Sequence, residues 1–114
     1  MNADLQAALA AARAKVEFHY PWWLRLFLQR NVIGIVLGRS IYIAPAMRER
    51  PAEELEQLIR HELEHVRQVA RLGLVRFLWR YLAEYAALRR EGKSAAAAYN
   101  DLSFEREARE AEKA

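Results

Sequence analysis

Between Pro51 and Gly73 the chain carries a long stripe of apolar residues at helical spacing, with one carboxylate set inside it. At about 100° per residue, Leu55, Leu58, Ile59, Leu63, Val66, Val69 and Ala70 fall on one arc. Arg60, Glu64, Arg67 and Arg71 fill the opposite, solvated face. Proline at the opening and glycine at the stop predict a helix over residues 51–72. Glu62 lies within the apolar arc, and His61 and His65 lie on its shoulder. A helix with no task beyond packing would hold Ala or Leu at position 62, because a carboxylate among hydrocarbon is costly unless it has a partner.

The flanking sequence limits what this helix can pack against. Residues 4–17 are Ala-rich and predict a helix with Asp4 as N-cap. Pro21 is expected to open a short helix over 22–29. The period then changes: 31–37 and 40–44 are runs of β-branched and aromatic residues joined by Gly38-Arg39, which suits a two-residue type II′ hairpin turn. Pro45 ends the second strand. A second long helix is expected over 74–91, stopped by Gly92, with Leu74, Phe77, Leu78, Tyr81, Leu82, Tyr85 and Leu88 as its core stripe. Val75 and Trp79 fall off that stripe and suit an oligomer contact, a membrane surface or a partner. A short helical turn over 93–99 and a last helix over 104–114, capped by Ser103, complete the chain. The expected fold is α+β and mostly helical: two N-terminal helices (1–30) and a hairpin (31–45) beside the central helix, then a C-terminal helix bearing glutamates.

With 114 residues, the chain suits one small domain. It has no cysteine, which removes disulfides and thiolate metal ligands. The net charge of +3 permits contact with nucleic acid or an anionic membrane surface but demands neither, and no nucleic-acid partner is expected. Arg67, Arg71, Arg76, Arg80, Arg89 and Arg90 read more simply as solvated charge beside Glu64, Glu84 and Glu91. The apolar runs are broken by Arg25, Arg76, Arg80 and Glu84, short of the roughly 18 residues that a membrane span needs. No secretory signal is visible at the start, so a soluble cytoplasmic protein is the expectation.

Residues 61–65 read His-Glu-Leu-Glu-His. Two imidazoles four residues apart on a helix can grip one ion, and neutral imidazole suits zinc. Glu62, one residue along, can take a proton from a water beside that ion as it attacks a carbonyl, then return it to a leaving amine. The plainer reading is a paired structural glutamate with two incidental histidines, which leaves the choice of carboxylate at position 62 unexplained.

HELEH, the preceding hairpin and the downstream Phe-Glu-Arg-Glu-Ala together resemble the gluzincin metallopeptidases, above all the minimal members called minigluzincins. The likeness spans about residues 31–109. It implies one zinc ion, peptide-bond hydrolysis of a peptide or protein substrate, and a third ligand on a helix after HExxH, often within E-x-x-A-D. Glu105 and Ala108 match that pattern, whereas Arg109 stands where the aspartate is expected. Read from the residues alone, Glu105 and Glu107 lie about 200° apart, so only one can face a metal. Glu105 is on the side of Leu102 and Ala108; Glu84, Glu107 and His19 remain rival ligands. The likeness further implies an edge strand beside the metal to which a peptide pairs, and Ser40, Ile41 and Tyr42 are the candidates for it. It also implies that short members can be latent, although no residue of the terminal Glu-Lys-Ala marks an inhibitory contact.

Two other readings remain open: a non-catalytic module stapled by zinc, and an arginine-rich binder of nucleic acid or acidic lipid. The oligomeric state is not encoded in any feature above.

Overall fold

The computed structural model describes residues 2–24 and 33–113. Their fold is α+β and mostly helical. The elements run α1 (Ala3–Ala11), β1 (Lys15–Glu17), β2 (Gly34–Leu37), β3 (Ser40–Ile43), a 3-10 helix (Pro45–Glu49), α2 (Ala52–Leu72), α3 (Leu74–Arg90), α4 (Ala95–Asp101) and α5 (Ser103–Ala111).

The N-terminal segment departs from its helix propensity. The helix expected over 4–17 ends at Ala11, and Asn2 rather than Asp4 caps it, its side chain accepting from the Asp4 N–H at 2.7 Å. Its end is a Schellman motif: the Ala14 N–H bonds the Leu9 carbonyl at 2.9 Å and the Arg13 N–H bonds the Ala10 carbonyl at 3.0 Å. Arg13 takes the left-handed position usually given to glycine, with φ 55. The chain then forms β1, which pairs parallel with β3 and sets Val16 against Ile41. Pairing in a sheet outweighs the local preference of an Ala-rich run.

This added strand changes the sheet. Its order is β1-β3-β2, with β2 and β3 antiparallel across a turn in which Gly38 has φ 62. The strand of Ser40, Ile41 and Tyr42, expected at an edge, is therefore central, and Ile41 is fully buried. Among the described residues β2 is the edge strand that runs beside α2. Pro21 and Leu24 close a single turn, and the helix expected beyond Leu24 lies outside the described residues, as do the first residues of the strand expected over 31–37.

The core lies between α1, β3 and α2, where Leu5, Leu9, Ile41, Ile43, Met47, Ile59, Leu63 and Val66 pack together. Gly73, at φ 82, ends α2 and turns the chain into α3. The stripe expected on α3 is only partly used. Phe77, Tyr81, Tyr85 and Leu88 are half-buried, but Leu74, Leu78 and Leu82 are exposed and no residue of α3 is buried. Ser94 caps α4. Ser103 does not cap α5 as expected; its N–H and its hydroxyl both donate to the Glu84 carboxylate on α3. A carboxylate there also faces the positive end of the α5 dipole. No helix among the described residues is long and apolar enough to cross a membrane.

Candidate metal centre

Helices α2 and α5 face each other along the flank of α2 that carries His61, His65 and Gln68, at positions i, i+4 and i+7. Phe104 and Ala108 are buried and hold α5 against the core, which turns Glu105 toward the histidines. The result is a group of His61, His65 and Glu105 whose ligand atoms all lie within 4.8 Å of one another. His61 Nε2 is 3.1 Å from Glu105 Oε1, and His65 Nε2 is 2.9 Å from Glu105 Oε2. Four donors at bonds of about 2.0–2.1 Å around a tetrahedral ion stand about 3.3 Å apart, so the two nitrogen–oxygen distances are a few tenths of an ångström inside that separation and the group could hold a metal ion with small adjustment.

The opposite ring nitrogens are also engaged. His65 Nδ1 donates to the Gln68 amide oxygen at 2.9 Å. Gln68, fully buried, anchors its own nitrogen on the Phe104 carbonyl and on Glu107 Oε1, both at 3.0 Å. Gln68 thereby ties His65 to the residue just before Glu105. His61 Nδ1 donates to Glu112 Oε2 at 2.7 Å. With both Nδ1 atoms committed as donors, each ring directs Nε2 toward Glu105, the arrangement by which outer hydrogen bonds orient metal-binding histidines.

The electrostatics express this pairing. Burial pulls the His61 imidazole down, but hydrogen bonds to Glu105 and Glu112 overcome it and carry it up to about 9. Burial likewise opposes His65, whose bonds to Glu105 and Gln68 raise it on balance. Burial pushes Glu105 up, and its bonds to the two histidines bring it down to about 2. Without an ion, the site is thus a buried carboxylate hydrogen-bonded to two imidazoles whose protonated forms it favours. A metal must displace those protons, so its binding weakens as pH falls.

Glu62 is 8% exposed, and burial raises its carboxyl above the ordinary range despite the nearby histidines. It rests against β2 at Gly34, where a built Cβ would stand 3.0 Å from Glu62 Oε1. A side chain at position 34 would crowd this carboxylate, and the Glu62 end would have to give by a few tenths of an ångström. Two cavities meet at Gly34, Glu62 and Tyr99. One, of 570 Å³, has charged walls in Arg50, Glu54 and Glu112. The other, of 540 Å³, runs along β2 and is walled by Val69, Leu74, Phe77 and Leu78. Tyr99 shares a hydrogen bond with Glu105 and is pushed up chiefly by burial. Tyr81, lining the second cavity, is pushed up to about 12 by burial and by Glu105.

The rival ligands are drawn elsewhere. Glu84 is engaged by Ser103, Glu107 faces Gln68 and Arg71, and His19 pairs with Glu17 at the surface. Arg109, in place of the expected aspartate, donates to the Asn100 carbonyl. Gln68, Tyr99 and Glu112 were not singled out by the sequence reading. Of these, Gln68 leaves a legible trace, since it continues the line of His61 and His65 along the helix. Comparison with known proteins found no matching family model, no matching curated protein and no matching solved structure.

Proposed function

We propose that the chain is a zinc-dependent peptidase of the minimal gluzincin type, with His61, His65 and Glu105 as ligands and Glu62 as general base. The observation that carries this reading is the placement of Glu62: a buried carboxylate beside the ligand group, at the junction of two cavities that form one groove. Among the described residues the group stops at three protein ligands, the number that leaves a position open for chemistry. Zinc held there would supply the Lewis acidity that polarises a scissile carbonyl.

The chain's own residues account for the rest. The edge of β2 offers backbone groups to which an extended peptide can pair antiparallel, past Gly34 and over Glu62. Glu62, made a stronger base by its burial, takes the proton of the attacking water and delivers it to the leaving amine. Tyr99 lines both halves of the groove, a place from which its hydroxyl can donate to the developing oxyanion.

The test is zinc content measured beside peptide cleavage. Glu62→Gln should retain zinc and lose cleavage by roughly 10²–10⁴-fold, whereas His65→Ala should lose the zinc itself. Cleavage by the Gln variant at the rate of the parent would overturn the assignment of the base. Retention of zinc by the Ala variant would overturn the ligand set.

A further inference from the structure

The outer side of α3 has no part in the core and little in the groove. Leu74, Val75, Leu78, Trp79 and Leu82 are 57%, 82%, 47%, 74% and 61% exposed. Their spacing is i, i+1, i+4, i+5 and i+8, so they form one continuous stripe about 12 Å long. An unbroken apolar strip of this kind on a helix marks a contact surface.

The charges around the strip select among its possible occupants. Helix α3 carries Arg76, Arg80, Arg89 and Arg90 against a single carboxylate, Glu84, and that carboxylate is turned inward to hold Ser103. None of the four arginines forms an ion pair among the described residues. Arg80 is turned inward over the Phe104 ring, and Arg76, Arg89 and Arg90 flank the strip. A second copy of this helix laid against the first would bring six arginines around one apolar seam with no carboxylate on that face to offset them, and like charges so placed repel. A surface that is anionic and apolar just beneath its charges matches both features at once, with Trp79 suited to the boundary between them.

We infer that the outer face of α3 docks on an anionic lipid surface, with Val75, Trp79 and Leu82 entering the headgroup boundary and the arginines meeting lipid phosphates. The helix lies flat on the bilayer and does not cross it. Leu74 and Leu78 belong both to this strip and to the apolar half of the groove. Docking therefore brings the groove mouth to the membrane surface, where peptide segments emerging from a bilayer are within reach. The inference stands on the helix surface alone and is independent of any hydrolytic activity.

The experiment is co-sedimentation of the full zinc-loaded chain with vesicles of phosphatidylcholine, with or without phosphatidylglycerol, at low and high salt. The chain should pellet with the anionic vesicles, release at high salt and stay in solution with phosphatidylcholine alone. Val75→Ser combined with Trp79→Ser alters two exposed positions, so it should keep the parent's circular dichroism yet lose the pelleting. Arg76→Gln combined with Arg90→Gln should weaken partitioning by roughly 30-fold, from about 1 kcal/mol per arginine. Trp79→Phe should remove the blue shift of tryptophan emission that docking produces. Failure of the parent to pellet, or undiminished pelleting of the folded Ser variant, overturns the inference. Concentration-dependent dimers by sedimentation velocity, without vesicle binding, overturn it in favour of self-association.

Discussion

Helices α2 and α3 are joined only by Gly73, and each carries an apolar stripe that the sequence alone would send inward. Helix α2 buries its stripe through Ile59, Leu63 and Val66, and buries Glu62 and Gln68 as well. Helix α3 buries no residue at all. The difference lies in what each helix finds around it. Helix α2 is enclosed by α1, β2, β3 and α5, whereas α3 leans on α2, α4 and the start of α5 with one narrow arc. Periodicity states which residues share a face; the remaining elements decide whether that face is covered.

The sharpest test of this contrast is truncation in the two stripes. Leu63→Ala should destabilise the fold by about 2–5 kcal/mol, because it opens a cavity among residues with no means to collapse around it. A urea midpoint close to that of the parent would show that α2 is less enclosed than its burial indicates.

Buried polar groups make α2 sensitive to pH in a way that α3 is not. In the protein stripped by chelator, His61 lies at about 9 against an ordinary 6.5, so its stabilising pairing is complete below 6.5 and is lost as pH rises through 9. Glu105 lies at about 2 against 4.5, so its share is complete above 4.5 and is lost as pH falls through 2. Stability of the stripped chain should therefore peak between about 4.5 and 6.5, with a fall toward alkaline pH of up to a few kcal/mol. Saturating zinc should remove the alkaline fall, since the metal favours the deprotonated ligands. Urea titrations across pH, with and without metal, check both limbs, and an alkaline fall unchanged by zinc contradicts the ligand assignment.

Gln68→Leu keeps the bulk of the side chain and removes its three hydrogen bonds. It should weaken zinc binding by roughly 10–100-fold, read by competition with a chromophoric chelator, because His65 and the start of α5 lose their common anchor. Unchanged affinity would reduce Gln68 to a packing residue. The smallest effect belongs to α3: Leu82→Ser should shift stability by no more than about 0.5 kcal/mol, as for an exposed site. A loss of several times that size would mean that the outer face of α3 is covered within the fold.

The same contrast explains how much could be read from the chain. The span of α2, its histidine pair and the Gly38 turn follow from local chemistry, and they stand where proline, glycine and residue spacing place them. Strand β1 was hidden because residues 15–17 form a strand only when β3 is beside them, and because the Schellman end uses Arg13 where a glycine would have announced it. The central position of β3 was lost with it. Glu105 was favoured from its side of the last helix, but its distance from the histidines is a property of how α5 meets α2. Tyr99 and Glu112 reach the groove from separate elements, and no spacing in the sequence links them to residue 61 or 62.

Ser103, fastened by Glu84, stands only two residues before Glu105. Helix α3 and the carboxylate that joins both histidines thus share a single mechanical arm. A displacement of α3 would therefore act on the N-terminus of α5, two residues from the carboxylate that joins the imidazoles.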